Sequence, residues 1–220
     1  MTDGKAAIYV ADDWLSMTVR DRERRLAGAE HLLHQPDWEE VVPGLDSLAV
    51  RFDPERTDPD TARLLFVRQL DGVAKSGASE MREQIIAVCY DAEFAPDAAM
   101  VAQKLGIELS ALPAWHGAQT WTVDMLGFQP GFAYCRAEGD IPDIARLDQP
   151  RQSVPAGSVG LLGGLCGLYP FEGPGGWPLI GRTPVLLFDA RRDPPNLLGA
   201  GTRVRFEAID RARFDSLTAA

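Results

Sequence analysis

The sequence predicts an α+β N-terminal domain over residues 1–80 and a mainly-β barrel domain over residues 81–220. Three observations lead there. Residues 1–70 read strand, strand, helix, strand, strand, helix, the order of a compact α+β unit. The segment Pro150–Asp189 carries nine of the chain's 21 glycines between Gly157 and Gly181, and Glu172 is the one charged residue between Arg151 and Arg182. Between those glycines lie Val159, Leu161, Leu162, Leu165, Leu168, Tyr169, Trp177, Leu179 and Ile180, core material that a flexible linker lacks. Short strands with sharp turns at Gly163-Gly164 and Gly173-Pro174-Gly175-Gly176 satisfy both facts.

Taken in order, Ala6–Val10 and Leu15–Val19 read as strands separated by the turn-forming Asp12-Asp13. Asp21–Leu33 sets Leu26, Ala29, Leu32 and Leu33 at helical spacing among charges. Val41 and Val42 precede a turn at Pro43-Gly44, and Leu48, Val50 and Phe52 alternate as a half-buried strand should. Thr57, Asp58 and Pro59 supply a cap and a first-turn proline for a helix to about Leu70. Lys75-Ser76-Gly77-Ala78-Ser79 then reads as the boundary.

Ile85–Tyr90 is a fully apolar strand, and Pro96-Asp97 opens a helix that Gly106 can end. Ser110 is placed to cap a short helix running to Trp115. In Gln119–Leu126, Trp121, Val123 and Met125 alternate with Thr120, Thr122 and Asp124, predicting a strand whose polar face meets solvent or a cavity. It runs into a stiff aromatic loop, Gly127–Cys135, suited to a pocket wall or a core plug. Val185–Phe188 and Arg203–Ile209 read as further strands around a Pro194-Pro195 loop.

A formal charge of −10 argues against nucleic acid or an anionic membrane as partner. Cys89, Cys135 and Cys166 form neither a disulfide framework nor a zinc motif, which fits a reducing cytoplasm. The N-terminal apolar run is too short for a signal peptide, and no stretch reaches transmembrane length, so a soluble cytoplasmic protein is expected.

No glycine-rich loop ends in Lys-Ser or Lys-Thr, and no metal-ligand spacing stands out. Arg151 and Arg182 flank the uncharged stretch; their guanidinium forks suit a carboxylate or phosphate, or else tie barrel loops down. His116 could transfer a proton or be structural. Asp124 and Gln129 bracket the aromatic loop as an acceptor and a donor, while Tyr134 and Tyr169 are expected to pack with satisfied hydroxyls. Cys166, with no assignable histidine neighbour, reads as a small core residue. A ligand pocket is expected from Phe128, Gln129, Phe132 and Tyr134, Gly163 and Gly164, Tyr169, and one or both of Arg151 and Arg182.

The run GFQPGFAY followed by PRQSVPAGSVGLLGGLCGLYPFEGPGGWPLIGRTPVLLFD resembles the signature of the 5-oxoprolinase B-subunit family, which also takes in KipI-type histidine-kinase inhibitors and proteins labelled allophanate hydrolase subunit 1. Val42-Pro43 with Ser47-Leu48, and Leu198 with Ala200-Gly201-Thr202-Arg203-Val204, extend the likeness over nearly the whole chain. The resemblance implies that the second domain is a cyclophilin-like barrel. It also implies a non-autonomous part of an ATP-dependent 5-oxoprolinase, paired with a larger cyclophilin-like C subunit, together with a lactam-cleaving A subunit, opening 5-oxoproline to glutamate. A histidine-kinase partner, or a urea or allophanate system, is what the other family branches imply. A histidine at the position of His116 is part of the likeness. The chain departs from it at Leu165-Cys166, where relatives carry Gln-Thr, and at Asp91-Ala92 and Ala95, where they favour glycines.

Overall fold

Residues 7–73 and 83–219 are described in the computed structural model, so the boundary stretch Lys75–Ser79 and the first residue of the expected strand Ala6–Val10 lie outside the described residues. Two compact units are present, Met1–Glu80 and Met81–Ala220.

In the first unit, β1 (Ile8–Ala11), β2 (Trp14–Thr18), β3 (Glu40–Pro43) and β4 (Ser47–Arg51) form an antiparallel sheet of order β1-β2-β4-β3. Helices α1 (Arg22–Leu33) and α2 (Pro59–Asp71) pack with it. Asp21 and Asp58 cap them by accepting from Arg24 N and from Asp60 N and Thr61 N. Leu15, Leu48, Val50, Phe52 and Phe66 bury almost completely in the shared core. Val41 and Val42 lie in β3, the third strand of the expected order.

The second unit is built on β5 (Glu83–Cys89), β6 (Trp121–Leu126), β7 (Ala133–Ala137), β8 (Arg151–Val154), β9 (Ser158–Leu162), β10 (Leu165–Leu168), β11 (Gly173–Gly175), β12 (Leu179–Arg182) and β13 (Arg203–Ile209). Seven of these close into a barrel of order β10-β7-β6-β13-β5-β12-β9, while β8 and β11 pair separately. Neighbours in the barrel are antiparallel except β5 and β13, which run parallel from Arg203 opposite Glu83 to Ile209 opposite Cys89. Alternation sends Val123, Cys135, Cys166, Leu168, Val204 and Phe206 into the barrel core.

Helix α3 (Ala98–Leu105) ends on Gly106 at φ +68°, as the sequence predicts. The next helix differs: a 3-10 turn over Leu109–Ala111 leads into α4 (Leu112–Ala118), and no side chain caps it, so Ser110 does not fill that role. Other corrections lie in the strands. Ala133–Cys135 belongs to β7, which confines the aromatic loop to residues 127–132. Gly173–Gly175, expected as a turn, pairs with β8 across a register shift. Val185–Phe188 is not a full strand: it makes one bridge, Phe188 with Asn196, flanked by Leu197 N donating to Leu187 O and Asp189 N to Pro195 O at 2.9 Å, while the Thr183 hydroxyl accepts from the Val185 amide at 3.1 Å. The polar side of β6 is not open: Thr122 and Asp124 are buried. Helix α5 (Arg211–Thr218), hidden in a charged run, is capped by Asp210 and anchored by Phe214 against Phe94 at 4.6 Å between ring centres.

Candidate functional site

The link between β6 and β7 is held by its own backbone. Gln129 N donates to Gly127 O, Phe132 N to Gln129 O and Gly127 N to Phe132 O, at 2.8, 3.0 and 3.2 Å. This tight path needs positive φ at Gly131 (+80°) and at Phe128 (+68°). Glycine accepts such a φ without strain, whereas a phenylalanine there is a costly exception. Phe128 is also 60% exposed. Its ring meets Phe132 and Tyr169 edge-on, at 5.3 and 6.4 Å.

Beside this link lies a shallow, open cleft of about 410 Å³ lined by Leu126, Phe128, Gln129, Pro130, Phe188 and Asn196. Its far wall comes from the segment after β12, brought in by the Phe188–Asn196 bridge and by Gly131, where a Cβ would come within 2.8 Å of Phe188 Cβ. Gln129 Oε1 and Asn196 Oδ1 are both buried without a hydrogen-bond partner.

Phe132, Tyr134 and Tyr169 gather on the outer side of the barrel with Val154, Leu179 and Trp177. Trp177 reaches the barrel wall because Gly160 and Gly167 have no side chain: a Cβ on Gly167 would stand 2.8 Å from both Phe132 Cζ and Trp177 Cζ3. The glycines here admit the protein's own aromatics. Burial pushes both tyrosine phenols up, so neither is suited to giving up a proton at neutral pH.

The remaining expected residues fall elsewhere. Gly163 and Gly164, at φ +54° and +78°, make the two-residue turn between β9 and β10. That turn lies at the Leu165 end of β10, whereas the aromatic link meets β10 at its Leu168 end, so the two do not share a pocket wall. Arg182 Nε donates to Ala156 O at 2.8 Å, and its guanidinium lies over the rings of Phe94 and Phe214 at 5.5 and 5.9 Å. Arg151 pairs with Asp97 at 2.9 Å, and the same carboxylate accepts from Leu179 N at 2.7 Å. Asp124 is the extra residue where the β6–β7 register shifts, and its Oδ2 accepts from Arg136 Nε at 2.6 Å.

His116 is fully buried. It stacks on Phe206 at 4.1 Å, its Nδ1 lies 2.7 Å from the Tyr90 hydroxyl, and its Nε2 lies 3.5 Å from Cys166 Sγ. Cys166 therefore does have a histidine neighbour, contrary to the sequence reading, because α4 packs on β13 and its His116 side chain reaches the inward-facing thiol of β10. Burial drives the imidazole down to about 3 and the Cys166 thiol well up, so both stay neutral near pH 7 and neither activates the other.

At two points of the glycine-rich run the backbone amides are turned to the fold's own carbonyls. Gly157 N donates to Tyr169 O and Gly163 N to Ile144 O, and a Cβ on Gly157 would fall within 2.2 Å of Thr183 O. Those amides are spent within the fold. Among the described residues no group of three or more His, Cys, Asp and Glu could hold a metal ion, and no helix is long and apolar enough to cross a membrane.

Of the residues expected in a pocket, Phe128 and Gln129 line this cleft. Phe188 and Asn196 carry no local signal, since only the bridge between them places them opposite Gln129.

The family model for the carboxyltransferase domain, subdomain C and D, matches residues 3–198. The chain is 37% identical to the 5-oxoprolinase B subunit of Escherichia coli O157:H7 over 194 residues, 86% of this chain and 87% of that protein. It is 34% identical to the 5-oxoprolinase B subunit of Bacillus subtilis over 195 residues, 83% of this chain and 81% of that protein. Among solved structures, the crystal structure of TTHA0988 superposes with a TM-score of 0.75 at 33% identity, over 90% of this chain and 40% of that longer one.

Proposed function

The chain belongs to the 5-oxoprolinase B-subunit family, and from that premise we propose that it works as the B subunit of an ATP-dependent 5-oxoprolinase. In this reading it acts with a larger barrel protein, the C subunit, together with a lactam-cleaving A subunit, so that the assembly opens 5-oxoproline to glutamate. The observation that carries the reading is the 37% identity to the E. coli protein, which extends over most of both chains.

The geometry suggests what this chain contributes. The cleft between the 127–132 link and Phe188–Asn196 is lined by apolar residues with Gln129 and Asn196 among them, a setting that suits a small ligand with both apolar and polar parts. His116 and Cys166 are sealed in the core. A protein so built binds and positions while the reacting groups come from elsewhere in the assembly. ATP in this proposal is held by the assembly, since the amides of Gly157 and Gly163 are engaged within the fold.

The test is reconstitution. The purified chain is mixed with candidate A and C subunits, and ATP-dependent formation of glutamate from 5-oxoproline is followed. Turnover is expected only with all three together. Turnover at the same rate without this chain removes it from the enzyme.

A further inference from the structure

We propose that the cleft between the 127–132 link and Phe188–Asn196 takes a flat, uncharged ring with a polar edge, a lactam or a nucleobase, and leaves the ligand's charged groups outside. The inference rests on the reading of this cleft as a ligand site and adds which part of a ligand enters it.

Charge decides what stays out. None of the residues that line the cleft carries a formal charge. Asp189, next to Phe188 in the chain, is already answered by Arg191 and Arg192. Arg151 is paired with Asp97, and Arg182 donates to Ala156 O. A carboxylate or phosphate moved into the cleft would shed water without meeting a cation, which opposes its entry. Because the cleft is shallow and open, such groups can remain in solvent while the ring of the same ligand is held.

The rings decide what goes in. Phe128 comes to the cleft from the link and Phe188 from the segment after β12. Each is backed by other rings: Phe128 by Phe132 and Tyr169, and Phe188 by Phe171, with ring centres 5.7 Å apart and planes at 62°. Phe128 nevertheless stays exposed, on a backbone angle that costs a phenylalanine energy, and strain of this kind is kept where a ligand is met. Gly127 and Gly131 lie on the lining too and add no side chain to fill the space. Aromatic faces of this kind hold flat rings by stacking. Gln129 and Asn196 supply the polar contacts: a side-chain amide carries both donors and an acceptor, which matches the mixed edge of a lactam or an adenine.

The experiment titrates the full chain with 2-pyrrolidinone and, separately, with adenosine, following the side-chain amide resonances of Gln129 and Asn196 by NMR. Saturable shifts are expected from at least one of these rings, and Phe128→Ala should weaken binding by about tenfold. Because Phe128 is exposed, that variant keeps the fold, which its melting temperature verifies. Cyclohexanol, similar in size to the lactam but puckered, should bind more weakly than either ring, while 5-oxoproline and AMP should bind about as tightly as their uncharged counterparts. Saturation by 2-pyrrolidinone alone identifies a lactam site, by adenosine alone a nucleobase site, and by both a site for flat rings in general. No saturable shift from either ring, equal binding of cyclohexanol, equal affinity in the parent and Phe128→Ala, or binding of the charged compounds alone overturns the proposal. Ring binding by a chain that adds nothing to turnover in the reconstituted enzyme removes the B-subunit reading and leaves this one standing, whereas turnover without ring binding does the reverse.

Discussion

His116 on α4 is gripped at both ring edges inside the barrel, with Tyr90 Oη 2.7 Å from Nδ1 and Cys166 Sγ 3.5 Å from Nε2. A histidine held neutral in this way makes the fold sensitive to acid. Its ordinary value of 6.5 falls to about 3 on folding, because burial penalises the charged ring. Above 6.5 the ring is neutral in both states and costs nothing. As pH drops below 6.5 the unfolded chain takes up a proton that the folded chain refuses, so stability is lost progressively down to about 3, with a slope approaching ~1.4 kcal/mol per pH unit. The variant His116→Gln should be less stable at pH 8 but show a flatter decline between pH 6 and pH 4 in denaturant melts. Equal slopes in the two proteins would show that His116 is not the responsible group. The neighbouring Cys135 and Cys166 thiols, both pushed up by burial, should resist alkylation until the chain unfolds.

Gly167 is a packing glycine, and Gly164 a conformational one. Gly167→Ala forces a methyl into the space of Phe132 and Trp177, and should cost about 1–3 kcal/mol and change the near-ultraviolet circular dichroism of the tryptophans. Gly164→Ala meets nothing within 4 Å and carries only the left-handed backbone cost of about 1–2 kcal/mol, without a change in the aromatic signal. Matching spectra for the two variants would contradict the packing assigned to Trp177.

Arg182 ties the turn at Ala156 and lies over the two rings that seat α5. Truncation to alanine should lower stability by about 1–2 kcal/mol through a lost hydrogen bond and lost cation–ring contact. The folded fraction should keep normal activity in the reconstituted assembly. A variant of unchanged melting temperature but impaired activity would return Arg182 to the site.

Phe128 combines exposure with a backbone angle that suits glycine. Phe128→Gly should leave stability equal to the parent or raise it by up to about 1 kcal/mol, since relief of strain offsets the entropy that glycine loses on folding. The cleft loses a wall, and activity of the assembly should fall at least about tenfold. Full activity would mean that the strained ring serves no ligand at the cleft.

Local chemistry declared most of the secondary structure. Asp21 and Asp58 cap their helices, Gly106 ends α3, and Gly163-Gly164 turns β9 into β10, each through an interaction that spans only a few residues. Density of glycine among apolar residues was enough to predict a barrel, because ordered glycine without charge has few other uses. The aromatic link was likewise legible as a stiff, tightly turned loop from its glycines, proline and rings.

Tertiary structure alone decided the rest, since those facts concern residues distant in sequence. The polar side of β6 is buried because Arg136 from the next strand closes over Asp124 and the register shifts there. Cys166 acquires His116 from 50 residues away. The pair of arginines bounding the uncharged stretch is divided, Arg182 going to the rings of Phe94 and Phe214 while Arg151 meets Asp97. Periodicity records which side of a strand a residue occupies. Which residue meets it there is set by strand order, stagger and closure, and those follow from the summed packing of the whole barrel.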